Sequence, residues 1–207
     1  PLMLAIQASG RKLAAILLTH GHFDHILAAQ PLSDLHDAPV YIHSADAEML
    51  DDPAKSAYMP NVCTLEPPEN LPRTTYGDTI EICGTTLKVL HTPGHTPGSV
   101  CLMAEDALFS GDTLFEGSCG RTDFPGGSPA QMRSSLNRLA QLADSLRAHP
   151  GHGEAHMYEF SVDNSYEQVA VNMLTYEKGE LIEESRVFGY PFEGGKQKGI
   201  IAIVSDF

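Results

Sequence analysis

Three imidazoles and a carboxylate fall within six consecutive residues in the stretch Thr19-His20-Gly21-His22-Phe23-Asp24-His25. Packing alone has no use for such density, because desolvating several ionisable groups together is costly unless something binds them. Imidazole and carboxylate are donors that borderline divalent metals such as zinc prefer. The preceding run, Leu13-Ala14-Ala15-Ile16-Leu17-Leu18, is apolar throughout and reads as a buried strand. Side chains alternate along an extended segment, so His20 and His22 share one side of it. Asp24 and His25 then fall where a helix starts, at Phe23. Four donors can thus face one cavity from a single strand-to-helix turn.

Further donors occur at comparable places. His95 sits in Thr92-Pro93-Gly94-His95-Thr96-Pro97-Gly98-Ser99, whose prolines and glycines give a stiff non-helical loop after an apolar strand. Asp112 follows Ala107-Leu108-Phe109-Ser110-Gly111. His152 lies in His149-Pro150-Gly151-His152-Gly153, where flanking glycines permit close backbone approach. Each alone is an ordinary loop residue; together, each at the end of an apolar run, they form a pattern.

These segments, in this order, resemble the metallo-β-lactamase superfamily, most closely its glyoxalase II-like (hydroxyacylglutathione hydrolase-like) branch. The loop from Gly117 through Cys119, Gly120, Arg121, Asp123 and Phe124 to Gly127 resembles one common in small bacterial members of that branch. The resemblance runs from about Leu13 to about Gly153. It implies that His20, His22 and His95 hold one metal, that Asp24, His25 and His152 hold a second, and that Asp112 bridges the two. All seven positions carry the implied residue type. Histidine at position 25 differs from the arginine of one lactamase subclass. Arg121 stands where the family places a substrate-contacting basic residue; a loop ion pair with Asp123 is the competing reading.

The implied cofactors are two zinc ions, with iron or manganese admissible in either site. Two such cations, about 3.5–4 Å apart, lower the pKa of a shared water toward ~7 and make hydroxide available at neutral pH. Asp112 and Asp24 are the catalytic carboxylates of this scheme, Asp24 through an oxygen left over for orienting the attacking group. A thioester suits the site, because its thiolate leaves from a thiol of pKa roughly 8.5 without strong acid help. The expected activity is hydrolysis of a thioester such as S-D-lactoylglutathione. Two other classes compete with it: a mononuclear-iron persulfide dioxygenase, and a non-catalytic metal-binding protein. Nothing after His152 resembles the helical domain that grips glutathione in full-length glyoxalase II enzymes, so the thiol half of the substrate stays open.

Composition narrows the partners. At 207 residues the chain is one domain's worth. A formal charge of −14, with no Lys/Arg cluster, argues against nucleic acid and favours a small-molecule substrate. No apolar run approaches a membrane span, so no membrane partner is expected. Four scattered cysteines, Cys63, Cys83, Cys101 and Cys119, read as reduced thiols of a cytoplasmic protein. Cys119 is expected to pack as a small hydrophobe. His36, His43, His91, His149 and His156 are expected to be structural, and Tyr158 and Tyr190 to be core aromatics.

The elements that must position these groups read as an α/β chain. Phe23 to His36 reads as one helix, Val40-Tyr41-Ile42 as a strand, and Ser44 as the N-cap of a helix to about Leu50. Residues 51–77 read as a loop bordering the site. Thr79–Cys83 and Thr85–Leu90 flank Gly84 as a hairpin, followed by strands at Ser99–Met103 and Ala107–Ser110. A helix from Ser128-Pro129 to about Arg147 carries Leu136, Leu139, Leu142 and Leu146 as a core stripe.

The superfamily usually places two or three strands before the first His motif, whereas Leu2 to Ala8 look helical here. Strand-like stretches occur instead at Gln168–Tyr176, Arg186–Phe192 and Gly199–Ser205, with Glu193 to Lys198 as a hairpin loop. The expectation is therefore a single domain, 1–207, built as an αββα sandwich with two β-sheets between helices. Circular permutation is the expectation, with 162–207 supplying the strands that are usually N-terminal; a truncated core with an unrelated tail is the competing reading.

Overall fold

The computed structural model describes residues 2–61, 67–115, 117–142 and 146–152, and the backbone of three strands within 170–205. Helix α1 (Leu2–Ser9) leads into strand β1 (Leu13–Leu18). The unbroken apolar run of β1 is explained by burial on both faces. Leu13, Ile16 and Leu18 pack in one core with Ile6, Ile26 and Leu32, while Ala15 and Leu17 pack in a second with Leu87, Val100 and Phe109.

The helix expected over Phe23 to His36 is instead two, α2 (Phe23–Ile26) and α3 (Ala29–His36). Pro31 explains the break: it has no N–H for the Leu27 carbonyl, and its ring crowds the preceding turn of a continuous helix. Placed in the first turn of α3, the missing donor costs nothing. Strand β2 (Val40–Ile42) follows, then a 3₁₀ helix, Ser44–Leu50. His43, not Ser44, caps that helix, its Nδ1 accepting from the Ala45 N–H at 3.2 Å.

Residues 51–77 are not all loop, since β3 (Arg73–Thr75) pairs in parallel with β2. Strands β4 (Thr79–Ile82) and β5 (Thr85–His91) form the expected hairpin. Its turn residues Cys83 and Gly84 both have positive φ, 55° and 81°, as a tight two-residue turn between twisted strands requires. Strands β6 (Val100–Ala104) and β7 (Ala107–Gly111) continue the antiparallel meander.

Helix α4 (Pro129–Leu139) starts as expected, with the Ser128 hydroxyl accepting from the Gln131 N–H at 3.4 Å. It stops well short of Arg147. The chain returns as β8 (Arg147–Pro150), paired in parallel with β7. Filling the open edge of β7 outweighs the leucine periodicity, and the buried face of α4 is Met132, Ser135 and Leu139. The last strands are β9 (Ala170–Glu177), β10 (Glu180–Val187) and β11 (Ile200–Ser205). The hairpin here joins β9 to β10, earlier in the chain than expected; the anticipated loop at 193–198 lies outside the described residues.

The strands form two sheets, ordered β10-β9-β11-β1-β2-β3 and β4-β5-β6-β7-β8. The core shared by β1 and the second sheet lies between them. Helices α2 and α3 cover the outside of the first sheet, and α4 covers the second through Leu139 against Cys101 and Leu108. The architecture is the expected α/β sandwich, with helices outside two sheets. Strand β11 lies between β9 and β1, parallel to β1, with Leu17 opposite Ile203 and Leu18 opposite Val204.

Cys83, Cys101 and Cys119 are free thiols, and Cys63 lies outside the described residues. Burial raises the Cys101 thiol to about 11, an inert packed group. Cys119 is exposed, contrary to expectation, because the turn that carries it lies at the surface. No helix among the described residues is long and apolar enough to cross a membrane.

Candidate metal centre

Each of the seven donors singled out in the sequence lies in a segment leaving the end of a strand. His20, His22, Asp24 and His25 follow β1, His95 follows β5, Asp112 follows β7 and His152 follows β8. The two sheets are tied together at this edge. The Thr19 carbonyl, after β1, accepts from the Val100 N–H of β6 at 2.8 Å, and within the second sheet the Gly151 N–H donates to the Gly111 carbonyl at 2.9 Å. Gly111 abuts Thr19 so closely that a Cβ there would sit 2.6 Å from the Thr19 side chain. Gly151 is equally constrained, its hypothetical Cβ falling 2.2 Å from Asp112 Oδ1. These glycines let the donor-bearing backbones converge.

All seven side chains come together. His20, His22 and His95 present ligand atoms within 4.8 Å of one another, and so do Asp24, His25 and His152. Asp112 stands between the two groups. Its Oδ2 is 3.3 Å from His95 Nε2 and 3.2 Å from His152 Nε2, while its Oδ1 is 3.4 Å from His25 Nε2. Asp24 Oδ2 lies 3.4 Å from His152 Nε2.

Burial and hydrogen bonding say what the cluster lacks. His20, His22, His25, His95 and Asp112 are buried. His20 Nε2 and Asp112 Oδ1 have no hydrogen-bond partner among the described residues. His95 Nδ1 lies 2.7 Å from the Arg121 carbonyl, which can only accept, so Nδ1 carries the proton and Nε2 presents a lone pair. That lone pair points toward His22 Nδ1 at 2.8 Å. Burial, reinforced by His95, holds His22 down at about 3; burial and neighbouring imidazoles hold His20 well below its usual value. Burial alone would raise Asp112, but His25, His152 and His95 hold it below the usual carboxylate range. The result is a cluster in which His20 and His22 are held neutral and Asp24 and Asp112 ionised, rich in lone pairs. Such a donor set fits divalent cations with nitrogen and oxygen ligands.

Two aromatic rings that the sequence did not single out flank this cluster. The Phe124 ring meets His22 edge-on at 5.4 Å, and Phe115 meets His152 in the same way at 5.8 Å. Both rings are half-buried. A lone aromatic in a loop carries no sequence signal that separates a site wall from core. Arg121 is exposed and bonds Asp123 bidentately, Nε to Oδ1 and Nη2 to Oδ2, each at 2.7 Å, with its guanidinium carbon 4.0 Å from the centre of the Phe124 ring. The ion-pair reading of Arg121 is thus the geometry observed, and its carbonyl orients His95. His91 stacks on His43 at 4.1 Å, and His149 on Phe109 at 5.1 Å. His156, Tyr158 and Tyr190 lie outside the described residues.

Comparison with known proteins bears on the same stretch. The family model described as "Metallo-beta-lactamase superfamily" matches residues 1–161. An uncharacterized protein of Mycobacterium tuberculosis (strain ATCC 25618 / H37Rv) is 42% identical over 157 residues, covering 69% of this chain and 70% of that protein. The hydroxyacylglutathione hydrolase of Alkalilimnicola ehrlichii is 40% identical over 153 residues, 73% of this chain but only 52% of that enzyme. Among solved structures, the crystal structure of TTHA1623 in a di-iron-bound form superposes with a TM-score of 0.67 at 40% identity, covering 74% of this chain and 76% of that one. With the converging donors and the two-sheet sandwich, these matches lead to one conclusion: the chain belongs to the metallo-beta-lactamase superfamily, whose members bind divalent metals and are mostly hydrolases.

Proposed function

We propose that this protein is a dinuclear metal-dependent hydrolase acting on a thioester such as S-D-lactoylglutathione, with zinc as its metal. His20, His22 and His95 would hold the first cation, Asp24, His25 and His152 the second, and Asp112 both. The observation that carries the reading is the reach of the Asp112 carboxylate, within 3.4 Å of ligand nitrogens from both groups. When bound, such a pair supplies Lewis acidity at an acyl oxygen and a water whose pKa is lowered toward ~7.

The chain's own residues do the rest. Asp24 is partly exposed and its pKa is depressed: burial raises it, but His25 and His152 lower it more. It is therefore an ionised acceptor able to orient an attacking water. Phe124 and Phe115 border the two groups of donors edge-on, and offer an apolar wall to an acyl chain. Arg121, if released from Asp123, has the bidentate geometry for a substrate carboxylate. No protein nucleophile is needed, and a thiolate of pKa roughly 8.5 departs without a dedicated acid.

Iron in the same two positions is the second reading, favoured by the di-iron form of a structure 40% identical to this chain. The strand order supports a further part of the proposal. Strands β9, β10 and β11 would then take the place of the strands that usually precede the first His motif, with β11 beside β1. The activity is tested by adding zinc or iron to metal-free protein and following release of glutathione from S-D-lactoylglutathione. Hydrolysis restored in proportion to bound metal supports the reading; metal uptake without hydrolysis overturns it.

A further inference from the structure

Asp46 lies on the 3₁₀ helix, far in sequence from every donor, and is fully buried. Its carboxylate bonds both loops that carry the first group of histidines. Oδ2 accepts from the Gly21 N–H at 3.1 Å, and Gly21 separates His20 from His22. The same oxygen accepts from the Thr96 hydroxyl at 2.6 Å, and Thr96 follows His95 directly. Oδ1 accepts from the Gly98 N–H at 2.6 Å. The Thr96 hydroxyl is itself placed by Ser99, whose Oγ lies 2.7 Å from it and accepts from the Thr96 N–H.

Both glycines are dictated by this carboxylate's surroundings. A Cβ on Gly98 would lie 2.6 Å from the Asp46 carboxyl carbon, and one on Gly21 would lie 2.6 Å from Met49 Cβ. Only bare backbone can approach from both sides. Burying a carboxylate is costly: burial pushes the Asp46 pKa up, and the donors aimed from two separate loops offset only part of that cost. Asp46 therefore joins the two loops behind the ligand atoms, in addition to the direct approach of His22 to His95.

We infer that Asp46 is a positioning residue for the first cation, holding the His20–His22 turn and the His95 loop at the separation that the cation requires. This inference rests on the metal reading above. Asparagine is not equivalent. Its amide nitrogen has no lone pair, so at least one of the three donors faces another donor. Residues that orient metal ligands typically cost 10–100-fold in metal affinity when replaced.

The test uses a His152→Ala parent, which removes a ligand of the second group and leaves the His20, His22 and His95 group to be titrated. Zn(II) affinity is measured against a chromophoric chelator, and the fold of the metal-free proteins by circular dichroism. The expected result for Asp46→Asn is Zn(II) binding at least ~10-fold weaker than the parent, with metal-free secondary structure retained. Thr96→Val, which deletes one donor, should weaken binding, while Thr96→Ser, which keeps the hydroxyl, should stay within about twofold of the parent. If Asp46→Asn does not fold, the Thr96 pair decides the question. Parent-like affinity in Asp46→Asn, or equal weakening in Thr96→Ser and Thr96→Val, overturns the role of Asp46 and leaves the metal reading standing. A parent that binds no Zn(II) overturns both.

Discussion

His22 Nδ1 and His95 Nε2 face each other at 2.8 Å, although they lie 73 residues apart and on loops following strands of different sheets. The Arg121 carbonyl fixes the tautomer of His95, so the lone pair on Nε2 is directed at His22 by the backbone of the Gly120–Phe124 loop. The candidate metal centre is thus a junction of the two sheets, and its donors depend on segments that touch no cation.

Asp112 joins the two groups of donors, and its replacement is the severest single change. Asp112→Ala is expected to abolish binding of a second equivalent of metal and to lower turnover by at least ~100-fold, the scale on which removing one strongly stabilising group acts. Metal analysis of the purified variant alongside its rate checks this. Wild-type metal content and rate in Asp112→Ala would remove the bridging role.

Gly120 tests whether backbone approach, rather than donor chemistry alone, shapes the centre. A Cβ there would lie 2.0 Å from the Asp112 carbonyl oxygen and 3.0 Å from His95 Nδ1. Gly120→Ala should therefore shift Asp112 and break the Gly120 N–H bond to its carbonyl, destabilising the protein by roughly 1–3 kcal/mol. Urea denaturation of the metal-free variant reads this directly. An unchanged midpoint would mean that the loop yields without strain.

Much of this centre is legible in the sequence because the donors are dense and each closes an apolar run. His20, His22, Asp24 and His25 advertise themselves by type and spacing, and β1 by its doubly buried face. Asp46 does not. It is one aspartate among several polar residues, and its partners at Gly21, Thr96 and Gly98 are set by tertiary structure. Phe115 and Phe124 are hidden for the same reason. Local rules also failed where a distant strand decided the outcome: Arg73–Thr75 is extended because it adds to β2, and Arg147–Pro150 because it adds to β7. The split between α2 and α3 is legible in Pro31, whose missing donor opposes a continuous helical ladder.

Arg121 separates binding from chemistry. Its ion pair with Asp123 is fully exposed, so losing it should cost little stability. Arg121→Ala is expected to raise KM for a thioester bearing a carboxylate near the acyl group several-fold, with kcat and the KM for an uncharged thioester little changed. Steady-state kinetics on the two substrates decide the matter. Equal effects on both would assign Arg121 to the loop alone.

Acid should destabilise the metal-free protein before Asp24 or Asp112 is protonated. Burial, with the neighbouring imidazoles, depresses His20 and His22, the latter to about 3, against roughly 6.5 for an ordinary imidazole. Between those values the unfolded chain binds protons that the folded one refuses, so stability falls as pH is lowered. Each histidine contributes a slope of up to about 1.4 kcal/mol per pH unit. Asp24 and Asp112, which burial raises but His25 and His152 lower more, add to the loss only below about pH 4. Urea midpoints measured from pH 7 to pH 5 should decline; a flat or rising series would contradict the buried neutral state of these rings.

Metal quantification coupled to turnover on one preparation bears most directly on the central claim. The protein is loaded with metal, its cations per chain are counted, and it is assayed with S-D-lactoylglutathione and, with an oxygen electrode, with glutathione persulfide. The account predicts two divalent cations per chain and thioester hydrolysis without oxygen uptake. A single iron per chain, with oxygen consumed on the persulfide and no thioester cleaved, would contradict it.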